Sequence, residues 1–136
     1  MPVDVEALRQ VHFLAPLKDR AIKRLAGSMR ERRAGAGEEL VTQGSTAIAF
    51  FVLLEGEASV IVDGTPRRTL GPGDHFGEIA LVLPENARTA TVRADSDVRL
   101  GCLATWNFKG FIADHPEVTW PLLVTLAQQI ANTPTG

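Results

Sequence analysis

The residues best suited to chemistry lie in one stretch, where a glycine-led segment precedes an arginine. Gly77 and Glu78 open a run with helical spacing that Pro84 ends. A glycine-led helix start presents unpaired backbone N–H groups and the positive end of the helix dipole, and both favour an anion. Arg88 follows Glu78 by ten residues, and its guanidinium fork matches the paired oxygens of a phosphate. The sequence therefore predicts a phosphate site in which the Glu78 carboxylate accepts from a sugar hydroxyl.

Other chemistries find little support in the sequence. His12, His75 and His115 are widely separated, whereas a metal-dependent enzyme on strands needs closely spaced histidines with a carboxylate. The serines lack the His–acid pattern of an activated nucleophile. The single cysteine, Cys102, excludes an intrachain disulfide framework and a multi-cysteine metal site. We therefore expect no enzymatic activity, no metal and no cofactor other than a bound ligand.

The composition and net charge of the chain limit the classes of protein to which it can belong. The chain has 136 residues, of which 45% are hydrophobic and 22% charged, and these values are typical of one globular domain. The net charge of −2 gives no overall attraction to nucleic acid or to an anionic membrane. The longest uncharged apolar run, residues 47–54, is eight residues long, whereas a spanning helix needs about 20. We expect a cytoplasmic protein without a secretory signal or membrane insertion.

The N-terminal segment, residues 1–33, has the apolar spacing of helices. Pro16 interrupts that spacing, which predicts a short helix to about His12 and a second helix over residues 17–29. Three arginines follow, and their charge suits the negative end of a helix dipole. We interpret them as the solvated end of the second helix: Arg30, Arg32 and Arg33.

Residues 34–104 have the pattern of an antiparallel β-roll. Short runs of β-prone residues alternate with glycines, and Asp63-Gly64 is a strong signal for a hairpin. Gly71-Pro72-Gly73-Asp74 predicts a second turn. Many short strands with regular turns predict a mainly β domain, an antiparallel barrel or jelly roll with helices at both ends. The predicted strands cover residues 39–42, 48–54, 58–62, 67–70, 89–93 and 98–103.

Helical spacing returns after residue 104. The apolar residues from Phe108 to Ile112 predict a short amphipathic helix, and Pro116 opens a longer one. We therefore predict C-terminal helices over residues 105–131 and a loose tail over residues 132–136. The chain is expected to form a single domain.

Residues 76–92 resemble the phosphate-binding cassette of the cyclic nucleotide-binding domain family. Gly77-Glu78-Ile79-Ala80 and Arg88-Thr89-Ala90-Thr91-Val92 are similar to the two parts of that cassette. Residues 51–60 look like paired strands of the family's barrel, and residues 71–78 look like its lead into the cassette. The resemblance covers nearly the whole chain and implies a double-stranded β-helix jelly roll.

The resemblance implies a role for each cassette residue. Arg88 would bind the exocyclic oxygens of a cyclic phosphate, assisted by the backbone N–H groups of Ile79, Ala80 and Ala90. Glu78 would accept a hydrogen bond from the ribose 2′-OH. A structural ion pair between Glu78 and Arg88 is the alternative interpretation of the same two residues.

The remaining implied contacts concern the base. Thr89 stands where cGMP-responsive kinases carry a threonine that can meet the guanine 2-amino group, although cAMP-binding members also carry Ser or Thr there. Val60 and Leu70 match positions whose side chains pack on the purine and ribose, and they would be core residues in any barrel. The choice between cAMP and cGMP stays open.

The sequence thus predicts a regulatory sensor module that binds cAMP or cGMP and transmits binding through its C-terminal helices. No kinase, cyclase, channel or helix-turn-helix segment is recognisable in it, and neither is a lid over the base. We therefore expect no direct DNA binding and an effector domain or partner protein outside this chain, with a homodimer left open. The alternative is an interaction or scaffold domain of the same fold that does not bind nucleotide.

Overall fold

Two antiparallel sheets form the centre of the structure, a computed structural model that describes residues 3–45, 49–77 and 88–131. In chain order the strands are β1 (Arg30–Ala34), β2 (Glu39–Val41), β3 (Ala49–Glu55), β4 (Ala58–Val62), β5 (Thr65–Leu70), β6 (His75–Phe76), β7 (Thr91–Ala94) and β8 (Val98–Ala104). The first sheet has the order β1-β8-β3-β6 and the second the order β2-β7-β4-β5. This arrangement of antiparallel strands confirms the predicted mainly β roll.

Helices precede and follow the strands along the chain, and both groups pack against the same face of the first sheet. Asp4 caps the first of them, because its side chain accepts from the backbone N–H of Glu6. Short 3-10 turns, His12–Leu14 and Pro116–Val118, precede the second and the last helix. The helices are α1 (Val5–Arg9), α2 (Asp19–Ser28), α3 (Thr105–Asp114) and α4 (Thr119–Ala131).

The arginine cluster after α2 is a strand, so its interpretation as a helix end was wrong. The segment forms β1, which pairs antiparallel with β8 and places Arg32 opposite Leu100. Arg32 donates to the Leu40 carbonyl at 3.4 Å and to Glu38 at 3.3 Å. The strand lacks β-branched and aromatic residues, so its sequence has little intrinsic preference for β structure. Pairing with β8 determines its conformation instead. The β-roll consequently begins at residue 30 and not at residue 34.

β3 is buried on both faces and separates two apolar cores. Phe50 and Val52 pack with the helices, whereas Phe51 and Leu53 point into the space between the two sheets. Successive residues of a strand point to opposite faces, so β3 serves both cores at once. This explains its continuous apolar sequence, which is typical of a strand covered on both sides. We call the space between the sheets the roll interior.

Ionic contacts join three strands of the first sheet at one end. Arg99 in β8 donates to Glu31 in β1 at 2.5 Å, and it also contacts Glu55 at the end of β3. The hydrogen bond from Arg99 lowers the pKa of Glu31 below its ordinary value of 4.5, the charges of Arg99 and Arg33 lower it further, and partial burial opposes them. The pKa of Arg99 is raised by the same contact with Glu31.

Acid should weaken the attachment of β1. Because the folded pKa of Glu31 lies below the unfolded one, its contribution to stability is complete above about pH 4.5 and is lost as the pH falls through the folded pKa. Urea unfolding midpoints should therefore differ between wild type and Glu31→Gln at neutral pH, and the difference should shrink in acid. Glu57→Gln, an exposed change on the turn between β3 and β4, is the matched control. A wild-type advantage over Glu31→Gln that stays constant down to pH 3 would contradict this account.

Candidate functional site

Arg88 is the one buried charged or polar side chain among the described residues, with 5% of its surface exposed. Its Nη2 donates to the Ala49 carbonyl at 2.6 Å, and its Nη1 donates to the Gly77 carbonyl at 3.3 Å. The guanidinium carbon lies 5.6 Å from the centre of the Phe51 ring, within the range of a cation–π contact. A buried charge is costly unless it is hydrogen-bonded, and main-chain oxygens provide part of that compensation here.

Position 77 requires a glycine both for its backbone angle and for the space beside Arg88. Its φ is +96°, and a Cβ at this position would lie 2.7 Å from Nη1 of Arg88 and 3.0 Å from the Ala49 carbonyl oxygen. Glycine therefore permits both the left-handed backbone and the close approach of the guanidinium. The structure thus brings together Gly77 and Arg88, two residues that the sequence predicted for one site.

Two aromatic rings form the apolar wall next to the guanidinium. Phe51 and Phe76 stack with their centres 4.9 Å apart and an angle of 18° between the rings. Phe76 opens the cassette segment recognised in the sequence, but neither ring was predicted to be a binding residue. The alternation along β3 provides a signal for Phe51, because it shares the inner face with Leu53.

The structure also describes four other predicted site residues, and these differ in their exposure to solvent. Val60 and Leu70 are buried in the roll interior, and Ala90 packs against the same apolar cluster. Thr89 is exposed beside Arg88. The Phe51 ring under the guanidinium therefore shares the roll interior with Val60, Leu70 and Ala90. The contacts of these three residues with a ligand remain predictions.

Three predicted residues lie outside the described residues: Glu78, Ile79 and Ala80. The short helix expected after Gly77 falls in the same gap. The proposed ribose acceptor and the N–H donors of that helix start therefore remain predictions from the sequence.

Arg68 is a second arginine on the face of the sheet that carries Val60, and the sequence reasoning missed it. β4 and β5 pair so that Arg68 stands directly opposite Val60, and Leu70 stands opposite Ala58. Directly opposed residues share a sheet face, so Arg68 belongs to the inner face at a position where it is exposed. The alternation from Leu70 back to Arg68 is the signal that could have found it.

Among the described residues, neither a reactive thiol nor a metal-binding cluster forms a second site. Cys102 is half-buried, and burial raises the pKa of its thiol to about 11, so the reactive thiolate is scarce near neutral pH. Across residues 3–45, 49–77 and 88–131, no group of three His, Cys, Asp or Glu side chains is arranged to hold a metal ion. In that same part of the chain, no helix is both long enough and apolar enough to cross a membrane.

The family is shown by direct comparison. Residues 31–115 match the family model described as "Cyclic nucleotide-binding domain". The chain therefore belongs to the cyclic nucleotide-binding domain family, as its cassette residues predicted.

Individual relatives agree with this assignment. The cAMP-dependent protein kinase regulatory subunit of Emericella nidulans is 34% identical over 104 residues, which are 75% of this chain and 25% of that protein. The cGMP-dependent protein kinase of Toxoplasma gondii is 33% identical over 89 residues, 65% of this chain and 9% of that kinase. The chain thus spans about a quarter of the regulatory subunit and less than a tenth of the kinase.

A solved structure shows the same fold. The regulatory domain of Toxoplasma gondii PKA with cAMP superimposes with a TM-score of 0.72 and 28% sequence identity. The match covers 81% of this chain and 43% of that one. Its description names cAMP as the molecule in that crystal.

Gly77→Ala should test the crowding around Arg88. Gly37 is the matched control, since its φ is +89° and a Cβ there would have open space around it. Gly37→Ala should cost only the left-handed backbone, about 1–2 kcal/mol. Gly77→Ala should cost about 1–3 kcal/mol more, because Arg88 or β3 must move. Urea unfolding measures both free energies, and equal losses would show that the guanidinium is not tightly held.

Proposed function

We propose that this domain binds a cyclic nucleotide, cAMP or cGMP, and that Arg88 holds its cyclic phosphate. The observation that carries the proposal is the buried guanidinium, which is held at the roll interior by the carbonyls of Ala49 and Gly77. A cyclic phosphodiester carries one negative charge and two exocyclic oxygens, and a guanidinium offers one positive charge and paired N–H donors. Burial strengthens that pairing, because water does not compete for either partner.

The rest of the ligand has apolar and polar neighbours in the same interior. Val60 and Leu70 would pack on the purine and ribose. Arg68, exposed on the same face of the sheet, would meet the edge of the base. Guanidinium donors match the O6 and N7 acceptors of guanine, whereas adenine replaces O6 with an amino group. This chemistry favours cGMP at Arg68.

A regulatory output through the C-terminal helices is supported by the two faces of β3. Arg88 bonds to Ala49 and lies over Phe51 on the inner side of the strand. Phe50, the residue between them, packs on Phe108 of α3 with ring centres 5.4 Å apart. A phosphate that draws Arg88 away from the Ala49 carbonyl would shift the start of β3 and, through Phe50, the helix. The ligand would then favour the shifted state by its higher affinity for it.

We infer that the module regulates and does not catalyse, in keeping with a relative named a kinase regulatory subunit. Its effector would be a further domain or a partner protein that reads the position of α3 and α4. Cytoplasmic location, the absence of direct DNA contact and the option of a homodimer belong to the same proposal.

Replacing the guanidinium fork of Arg88 should lower the affinity for cyclic nucleotide. In calorimetric titrations, wild type should bind cAMP, cGMP or both saturably. Arg88→Lys, which keeps the charge, should lower affinity by about tenfold or more, because a single ammonium replaces a paired donor. Arg93→Ala is the control, an exposed arginine on β7. A folded wild type that binds neither nucleotide at about 1 mM would favour the scaffold alternative.

Removing the Arg68 side chain should change the preference of the domain between cGMP and cAMP. Arg68→Ala should lower the affinity for cGMP by about tenfold, the value of one good arginine–guanine pair, and should lower the affinity for cAMP less. Competition between the two nucleotides measures the ratio directly. An equal loss for both nucleotides would place Arg68 at the phosphate or ribose instead of the base.

A further inference from the structure

We propose that Gln43 and Asp63 form a clamp that positions Arg88 and thereby raises the affinity of the phosphate site. The inference rests on the proposed function, because it assigns positioning residues to the same site. Both residues act through the backbone of Arg88 and not through its guanidinium. We call this pair the Gln43–Asp63 clamp.

One turn, residues 42–45, holds the backbone of Arg88. The N–H of Arg88 donates to the Ser45 carbonyl at 2.8 Å, and the N–H of Gly44 donates to the Arg88 carbonyl at 2.9 Å. Both main-chain groups of Arg88 are therefore engaged by this turn. The reach of the guanidinium into the roll interior depends on where the turn lies.

Gln43 ties that turn to β7 and to the hairpin that connects β4 and β5. Its backbone N–H donates to the Thr91 hydroxyl in β7 at 2.9 Å. Its side-chain Nε2 donates to Oδ1 of Asp63 at 2.8 Å, and the Asp63 N–H returns a hydrogen bond to Oε1 of Gln43 at 2.9 Å. The reciprocal pair engages both ends of the Gln43 amide, so the side chain has one orientation.

Asp63 offers a rigid partner because it lies in a tight hairpin. Asp63-Gly64 is the two-residue connection between β4 and β5. Within the described ranges, Asp63 is the one non-glycine residue with a positive φ, +52°. Such loops fix the register of the strands they join, so the clamp relates the turn at 42–45 to the sheet that carries Val60.

The Gln43–Asp63 clamp is exposed, so a variant that breaks it should change the affinity for ligand while changing the stability of the fold little. Gln43, Gly44 and Asp63 all lie at the surface, so water replaces their hydrogen bonds when these are lost and the fold changes little in stability. Affinity depends instead on a donor that is already in place before the ligand arrives. A positioning residue should therefore change the dissociation constant much more than the unfolding midpoint.

Four variants test the clamp. Gln43→Ala removes it without adding charge, and Gln43→Glu sets two carboxylates at a contact that is now 2.8 Å. Asp63→Asn keeps an oxygen acceptor for Gln43, and asparagine tolerates a positive φ, so the clamp stays closed. The double variant Gln43→Glu/Asp63→Asn reverses the side-chain hydrogen bond, because the new amide donates to the new carboxylate, and it restores the wild-type net charge.

Calorimetric titration with cAMP and cGMP gives the binding result. Gln43→Ala and Gln43→Glu should each weaken binding by about five- to tenfold. Asp63→Asn should bind within about twofold of wild type, and the double variant should recover most of the loss. Wild-type affinity in Gln43→Ala, or a double variant as weak as Gln43→Glu, would overturn the clamp. A tightening by Asp63→Asn equal to the loss in Gln43→Glu would indicate a simple charge effect and would overturn it as well.

Amide hydrogen exchange tests the clamp without a ligand. The Arg88 and Gly44 amides should exchange faster in Gln43→Glu and return toward wild type in the double variant. The Leu53 amide, which donates to the Asp74 carbonyl at 2.8 Å, is the internal control and should not change. If the wild type binds neither nucleotide, the proposed function fails, while unchanged Arg88 exchange in Gln43→Glu would still reject the clamp.

Discussion

A positive charge inside an apolar roll must be compensated, and the neighbourhood of Arg88 is arranged around that requirement. The Ala49 and Gly77 carbonyls accept from its guanidinium, and the Phe51 ring lies beneath it. Residue 77 is a glycine because its φ is positive and a Cβ there would crowd the guanidinium. Main-chain carbonyls accept from two of its N–H groups and carry no net charge of their own, so the same arrangement suits both a stable fold and the proposed site for phosphate.

β3 links this site to the helices because it has no solvent-exposed face along most of its length. Phe51 faces the guanidinium, and Phe50, the residue before it, faces α3 and the N-terminal helices. Close-packed interiors transmit small displacements instead of absorbing them. In the proposed mechanism, a displacement at the Ala49 carbonyl would therefore reach the helical side through Phe50, the adjacent residue of the same strand.

How much of this could be predicted depends on the kind of signal. The hairpin at Asp63-Gly64 and the strand after residue 57 followed from turn chemistry and alternation, which are local. β1 was missed because its Arg-Glu-Arg-Arg-Ala sequence is polar, and pairing with β8 decides its conformation. Arg88 and Gly77 were recognised from the cassette pattern. Phe51, Arg68 and Gln43 were not, because their roles depend on register and on contacts between residues distant in sequence.

A crystal structure of the domain with cAMP or cGMP bound would test the role of Arg88 most directly. The cyclic phosphate should lie in the roll interior, with two of its oxygens at about 2.7–2.9 Å from the guanidinium nitrogens of Arg88. The bond between Arg88 and the Ala49 carbonyl should be weakened. A nucleotide bound elsewhere, or bound in the roll with Arg88 still on that carbonyl and away from the phosphate, would contradict the proposed role of Arg88.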